Sequence, residues 1–363
     1  MDTGAFLDVM PGDPRWGHAF APGSEGVRLH YVRQGRGPAV LLLHGWPGFW
    51  YDWRRLIPLL AEEADAIAPD FRGFGDSDKP DLPPTEAYTP QVLAADMLAL
   101  LDHLGLEHVV VVAHDIGATV AQVLARTARA RVRALALFNP PYPGIGMRRF
   151  DPAVQPEFWY QHFHNLPWSE QLIGYNRDTV RLYLIYWYDH WVGRKAAVRP
   201  KEFEAIVDTF ARRAAIRSSI AYYRARAGAR MQEAAADPQA LQISQPTVVL
   251  WGERDPVMQA AWADRLGDYF AQLSLQPRHQ RQRDDERHHA DGHANRRDER
   301  DDRDERLLAA RQEVAEGDKE LECHHVTGGT KGPPLRPIVS DLARGERRAF
   351  RPAFILASSA GTG

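Results

Sequence analysis

The sequence predicts an α/β fold, with a doubly wound, mostly parallel sheet that is interrupted by a helical insertion. Segments 39–43 (AVLLL) and 108–113 (HVVVVA) are almost wholly apolar, which is typical of strands buried on both faces of a sheet. Strand-like and helix-like segments alternate through the first 140 residues, as they do in doubly wound folds. One more apolar strand, 247–251 (TVVLW), follows a long helical stretch. An insertion between two strands of one sheet is the simplest explanation.

Each element of the sheet region has its own signal. Apolar residues at helical spacing predict helices, and short aliphatic or β-branched runs predict strands. The expected elements are strands 27–31, 39–43 and 66–69, a helix at 90–104, a strand at 108–113, a helix at 117–128, a strand at 132–138 and, after the insertion, strands at 247–251 and from 273 onward.

The chain divides into three regions. Residues 1–140 together with 244–277 are expected to form the core, and residues 141–243 a helical lid that shields a pocket at the carboxyl ends of the strands. Residues 278–363 are expected to form an irregular tail. Between Arg278 and Arg306 there are 9 Arg and 10 Asp or Glu but no large apolar residue, so this stretch cannot bury a core. The tail is either a disordered extension or an out-of-frame reading of a GC-rich gene, and the gene sequence distinguishes the two.

Composition excludes several classes of protein. With 45 Lys plus Arg against 48 Asp plus Glu, the formal charge of −3 provides no field that attracts nucleic acid. No apolar run approaches the roughly 18 residues of a membrane span, and the N-terminus lacks the pattern of a secretory signal. The single cysteine, Cys323, excludes an intrachain disulfide and fits a cytoplasmic location. No metal or organic cofactor is expected, and the oligomeric state is left open, a homo-oligomer included.

The segment VVVVAHDIGATVA predicts a sharp turn from a strand into a helix, with Asp115 at its tip. Small residues two positions before and after Asp115 permit such a nucleophile elbow. The alternative role for Asp115 is a plain helix cap. A carboxylate that attacks a saturated carbon forms an ester that water can hydrolyse, whereas a serine would form an inert ether. The expected substrate is therefore an alkylating electrophile.

Four motifs in order resemble the α/β-hydrolase family, and within it the bacterial epoxide hydrolases, over residues 20–277. They are HGWPGFWYDWR at 44–54, DFRGFGDSDKP at 70–80, AHDIGA at 113–118 and WGERDPV at 251–257. The resemblance implies an α/β-hydrolase sheet with a helical lid and assigns Asp115 as the nucleophile. It also implies an oxyanion hole formed by the backbone N–H groups of Trp46 and Ile116, and a cis Trp46–Pro47 bond.

Three further roles are implied by the resemblance. Asp255 would orient the general-base histidine, although it could also cap the following turn. Tyr160 and Tyr223 of the lid would donate to the epoxide oxygen, although eleven aromatic residues between Phe158 and Trp191 make packing the alternative. The base itself is displaced, since no histidine lies at 280–285, where the family places it. His279, His288, His289 and His293 are the candidates, and His293 is favoured because Gly292 precedes it.

These features predict an epoxide hydrolase that converts an apolar epoxide into a vicinal diol through an ester on Asp115. Two alternatives stay open. A haloalkane-type dehalogenase would use the same nucleophile, but Ile116 offers no polar atom where such enzymes commonly place a halide-binding tryptophan. A hydrolase-like protein without a placed base would be alkylated at Asp115 and then stall.

Overall fold

Eight strands form one sheet in the computed structural model, which describes residues 9–193, 197–226 and 236–278. The sheet order is β1-β2-β4-β3-β5-β6-β7-β8. The β1–β2 and β2–β4 pairs are antiparallel, and the five remaining pairs, from β4–β3 to β7–β8, are parallel. The strands are β1 (His18–Pro22), β2 (Arg28–Gly35), β3 (Ala39–Leu43), β4 (Asp65–Pro69), β5 (Val109–His114), β6 (Val132–Phe138), β7 (Ile243–Gly252) and β8 (Phe270–Arg278). This is the predicted doubly wound, mostly parallel arrangement.

The central strands are apolar because helices cover both of their faces. Every residue of β3 is buried, as are the first five of β5, and Leu43 pairs with Ala113 at the carboxyl end of both. The sequence missed β1, a five-residue edge strand that contains a proline and only one buried side chain. Strand β2 extends to Gly35, beyond the predicted end at 31, because its antiparallel pairing with β4 continues there.

The described helices lie between these strands and within the insertion. They are α1 (Ile57–Leu60), α2 (Pro84–Ala87), α3 (Pro90–His103), α4 (Asp115–Thr127), α5 (Gln155–His164), α6 (Ser169–Ile173), α7 (Arg177–Trp191), α8 (Pro200–Phe210), α9 (Ala215–Ala225) and α10 (Leu266–Tyr269). Thr89 caps α3 by accepting a hydrogen bond from the Val92 N–H at 3.3 Å. None of the described helices is both long enough and apolar enough to cross a membrane.

Helices α5 to α9 lie between β6 and β7 in the chain, within the segment predicted to be the lid. Asn176 begins α7 with a reciprocal cap, since its side chain accepts from the Thr179 N–H and the Thr179 hydroxyl accepts from the Asn176 N–H. A buried ion pair links this insertion to the first part of the chain: Arg54 Nε donates to Glu202 Oε1 of α8 at 2.8 Å.

Candidate active site

Asp115 lies at the turn from β5 into α4, and its backbone is left-handed with φ of 47°. A non-glycine residue adopts this conformation only where the surroundings enforce it. The turn is tight because α4 passes close to β3: a Cβ on Gly117 would lie 2.3 Å from the Leu43 carbonyl oxygen and 2.6 Å from that of His44. The sequence pattern of small residues around Asp115 therefore has a direct steric cause.

The loop after β3 supplies a donor to the Asp115 carboxylate. The Trp46 backbone N–H donates to Asp115 Oδ2 at 2.9 Å, and the Trp46–Pro47 bond is cis, as predicted. Gly45 permits this approach, since a Cβ there would lie 2.7 Å from Asp115 Cβ. Ile116, the other predicted backbone donor, is the second residue of α4 and is buried.

His44 lies beneath this loop and is fully buried. Its Nε2 accepts from the Phe71 N–H at 3.1 Å, and its Nδ1 lies 2.9 Å from the Gly45 carbonyl oxygen. Burial lowers the pKa of His44, so the imidazole is neutral and donates from Nδ1. These bonds hold the loop that carries Trp46.

His114 and Asp52 form a pair beside Asp115. His114 Nε2 lies 3.2 Å from the Gly45 nitrogen, which donates to it, and 3.4 Å from Asp52 Oδ2. Asp52 also lies directly against Gly48, where a Cβ would be 1.9 Å from Oδ2. Burial disfavours the charged imidazole, but the hydrogen bond and charge of Asp52 and the charge of Asp115 outweigh it and raise the pKa of His114. Asp52 lies within the motif at 44–54, but its pairing with His114 was not predicted.

Asp255 lies three residues beyond β7. Its Oδ1 accepts from the backbone N–H groups of Val257 and Met258 at 2.8 and 2.7 Å, and its Oδ2 accepts from Asn139 Nδ2 at 2.6 Å. Burial raises the pKa of Asp255 and the charge of Asp115 adds to this, against the hydrogen bonds that lower it. Within the described residues its partners include no histidine.

Tyr160 of α5 and Tyr223 of α9 are both buried, and their ring centroids are 5.5 Å apart. Both rings contact the Trp46 indole, at 5.7 and 5.8 Å. Because the Trp46 N–H donates to Asp115, one residue joins the two tyrosines to Asp115. Gln161 Nε2 donates to the Tyr160 hydroxyl at 2.9 Å.

His164 completes this aromatic cluster and was not singled out by the sequence. Its ring lies 4.8 Å from those of both Trp46 and Tyr223, and its Nε2 is 2.8 Å from the Tyr183 hydroxyl. Burial and the charge of Arg224 lower the pKa of His164 to about 3, so this histidine stays neutral.

The candidate base His293, and the other candidates His279, His288 and His289, lie outside the described residues. Among the described residues, the group with metal-ligand geometry is His30, Asp70 and Asp76. His30 Nδ1 lies 2.8 Å from Asp70 Oδ2, which also accepts from the Asp76 N–H at 3.0 Å. These mutual hydrogen bonds account for the cluster.

Comparison with known proteins identifies the family. Residues 38–291 match the family described as the alpha/beta hydrolase fold. The soluble epoxide hydrolase of Corynebacterium sp. (strain C12) is 39% identical over 163 residues, which are 44% of this chain and 54% of that protein. Human epoxide hydrolase 4 is 31% identical over 245 residues, 66% of either chain. The matches thus span about half to two thirds of these curated relatives.

A solved structure supports the same family assignment. The epoxide hydrolase CorEH, determined without ligand, superposes with a TM-score of 0.62 at 28% identity, covering 72% of this chain and 90% of that one. The elbow at Asp115 and the loop at Trp46 both fall within the matched residues. The chain belongs to the α/β-hydrolase family, in which its relatives include epoxide hydrolases.

Proposed function

We propose that this hydrolase converts epoxides into vicinal diols through an ester on Asp115. The observation that carries the proposal is the 2.9 Å hydrogen bond from the Trp46 N–H to Asp115 Oδ2 at the tip of the elbow. A donor on one carboxylate oxygen leaves the other, Oδ1, to attack an epoxide carbon. The same donor stabilises the oxyanion when water later adds to the ester carbon, and Ile116 N–H is the proposed second donor.

The lid tyrosines supply the proton that ring opening requires. As Oδ1 bonds to carbon, the C–O bond of the epoxide breaks, and its oxygen takes a proton from Tyr160 or Tyr223. The Tyr160 hydroxyl accepts from Gln161, which is compatible with donation of its own proton. An unperturbed tyrosine has a pKa near 10 and is protonated at neutral pH.

The second half-reaction needs a base that removes a proton from water. The base takes a proton from water as the water oxygen adds to the ester carbon, and it returns this proton to Oδ1 as the bond from that carbon to Oδ1 breaks. The diol leaves with Oδ1, the water oxygen stays on Asp115, and the second water proton restores the tyrosine hydroxyl. We propose His293 as the base and Asp255, partly buried and held by two backbone N–H groups, as its orienting acid. His293→Gln is expected to leave alkylation intact while the ester accumulates, and unchanged turnover would contradict the assignment.

Oxygen labelling and intact mass test the nucleophile. After one turnover in H₂¹⁸O we expect the label in the Asp115 side chain and not in the diol. Asp115→Asn is expected to form neither adduct nor diol, whereas Asp178→Asn, on an exposed turn of α7, should behave as the wild type. Label in the diol that is released by the first turnover would contradict a covalent mechanism, and an adduct that persists in the wild type would indicate a stalled enzyme.

Dehalogenation is the second candidate, and one observation favours it. The indole N–H of Trp46 is buried without a hydrogen-bond acceptor within the described residues, and the Trp187 ring lies 5.7 Å from the Trp46 ring between centroids. Such a donor can hold a halide that leaves as Asp115 attacks. Release of halide from a haloalkane, without diol formation from any epoxide, would favour this candidate.

A further inference from the structure

His114 Nε2 has two partners that require opposite protonation states. The Gly45 N–H at 3.2 Å needs a lone pair on Nε2, whereas Asp52 Oδ2 at 3.4 Å needs a proton there. The neutral imidazole with its proton on Nδ1 satisfies Gly45. The imidazolium donates to Asp52 instead and leaves the Gly45 N–H without its acceptor.

The next peptide group is the one that holds the nucleophile. Gly45 is followed by Trp46, whose N–H donates to Asp115 Oδ2 at 2.9 Å. The loop has little room to adjust, because Cβ atoms on Gly45 and Gly48 would lie 2.7 Å from Asp115 Cβ and 1.9 Å from Asp52 Oδ2. A change in the hydrogen bond to the Gly45 N–H therefore also shifts the adjacent Trp46 N–H.

We propose that His114 and Asp52 are positioning residues that align the Trp46 donor only while His114 is neutral. This inference rests on the proposed role of Asp115 as the nucleophile. Asp52 then has a second effect: its charge favours the imidazolium and so sets the pH at which alignment is lost. Above that pH the loop is aligned, and below it the rate of alkylation falls by about tenfold per pH unit.

The charges around His114 come from several segments. Asp52 belongs to the turn before α1, Asp115 to α4 and His44 to the loop after β3, while the Trp53 ring packs at 5.4 Å. Arg54 and Tyr188 of α7 face Asp52. Of these groups, Asp52 is the one whose removal takes away the hydrogen bond as well as the charge.

Nuclear magnetic resonance tests the pair without requiring turnover. His44–Gly45 is the only His-Gly pair in the sequence, so ¹³C-carbonyl histidine with ¹⁵N-glycine makes Gly45 the only residue whose ¹⁵N amide is bonded to a ¹³C carbonyl. We expect the Gly45 amide and the His114 ring, assigned by its loss in His114→Gln, to titrate with one midpoint above 6.5. Asp52→Asn should lower both midpoints together.

Alkylation kinetics test the consequence. The glutamine amide oxygen reaches about as far as Nε2 and accepts a hydrogen bond without titrating. In His114→Gln, the fall in the rate of adduct formation at low pH that is due to His114 should therefore disappear. His103→Gln, an exposed position at the end of α3, is the matched control and should keep it.

Each outcome decides the proposal. A Gly45 amide that ignores the His114 titration, or an unchanged midpoint in Asp52→Asn, overturns it, as does an intact acid limb in His114→Gln. If His114→Gln does not fold, Asp52→Asn still decides through the Gly45 amide. Absence of any adduct in the wild type contradicts the proposed nucleophile. In that case the Gly45 amide and His114 ring resonances still show whether Asp52 and the His114 charge control the bond to Gly45.

Discussion

Tyr160 and Tyr223 meet edge to face above Trp46, and both are buried. If they protonate the epoxide oxygen, Tyr160→Phe and Tyr223→Phe should each slow single-turnover alkylation of Asp115 by about 10²-fold or more, because the leaving oxygen then departs as a poorly stabilised alkoxide. Binding should change less than the rate. Rapid-quench intact mass measures the alkylation rate directly.

Tyr222→Phe is the matched control for these substitutions. Tyr222 neighbours Tyr223 in α9, is equally buried, and packs with Arg226 through its ring, so loss of its hydroxyl should leave the alkylation rate within about twofold. An equal loss in all three variants would indicate a packing role for the lid tyrosines and contradict proton donation.

At the residue scale, the sequence predicts what local sterics enforce. The turn at Asp115, the bond geometry at Trp46–Pro47 and the loop that brings Trp46 to Asp115 were predicted from short motifs. Asp52, Asn139 and His164 are absent from those predictions. Their contacts join segments that are distant in the chain, such as Asn139 with Asp255, and no short-range pattern encodes them.

At the scale of elements, helix α4 packs against β3 through Gly117. A side chain there would lie 2.3 Å from a backbone carbonyl oxygen, which cannot move without breaking the sheet. Gly117→Ala should therefore lower the free energy of unfolding by about 1–3 kcal/mol and misplace Asp115. Urea denaturation and the alkylation rate measure the two effects.

Gly267→Ala in α10 is the control, because a Cβ there meets nothing within 4 Å. Its free energy of unfolding should change by less than about 1 kcal/mol, in the stabilising direction if at all, since alanine is the better helix former. A Gly117→Ala variant as stable and as active as this control would contradict the steric account of the elbow.

Elements with uniform burial could be predicted well. Strands β3 and β6 have the expected bounds, since apolar residues dominate both and turn residues end them. Helix α4 begins at Asp115 rather than at 117, because the elbow itself forms its first turn. Edge strand β1 could not be predicted from its side chains, because its extended conformation depends on antiparallel pairing with β2.

At the scale of the whole molecule, Glu202 ties the insertion to the core. Its carboxylate bonds to Arg54 at 2.8 Å, to Arg55 at 3.2 Å and to Arg199 at 3.2 Å, and it is 1% exposed. Removal of one partner leaves the buried Arg54 charge uncompensated. Glu202→Gln should therefore lower the free energy of unfolding by about 3 kcal/mol or more at neutral pH.

The pH dependence of this loss has a definite sign. Burial opposes the charge of Glu202, but the hydrogen bond and charge of Arg54 outweigh it and lower the pKa of Glu202 to about 2, from 4.5. The stabilisation is present above pH 4.5 and is lost as the pH falls toward 2, where wild type and Glu202→Gln should converge. Glu204→Gln, which breaks half-exposed pairs with Arg177 and Arg181, should cost less than about 1 kcal/mol throughout.

The fold class could be predicted because the alternation of strands and helices produces local patterns of apolar residues along the chain. The site could be predicted only where its parts are local. The lid tyrosines are a proposal from resemblance, and their meeting over Trp46 depends on the packing of α5 and α9, which lie about sixty residues apart. The predicted base lies beyond the described residues, so that part of the site remains a prediction.

Trp46 donates its peptide N–H to Asp115 and packs its indole against the Tyr160 ring. Under the proposed mechanism, the position of this ring and the alignment of the Asp115 carboxylate are coupled, because one residue carries both contacts. A substrate that displaced the indole would also shift the donor to Asp115. Selectivity for molecular shape would then be expressed as a rate of ester formation, and not only as an affinity.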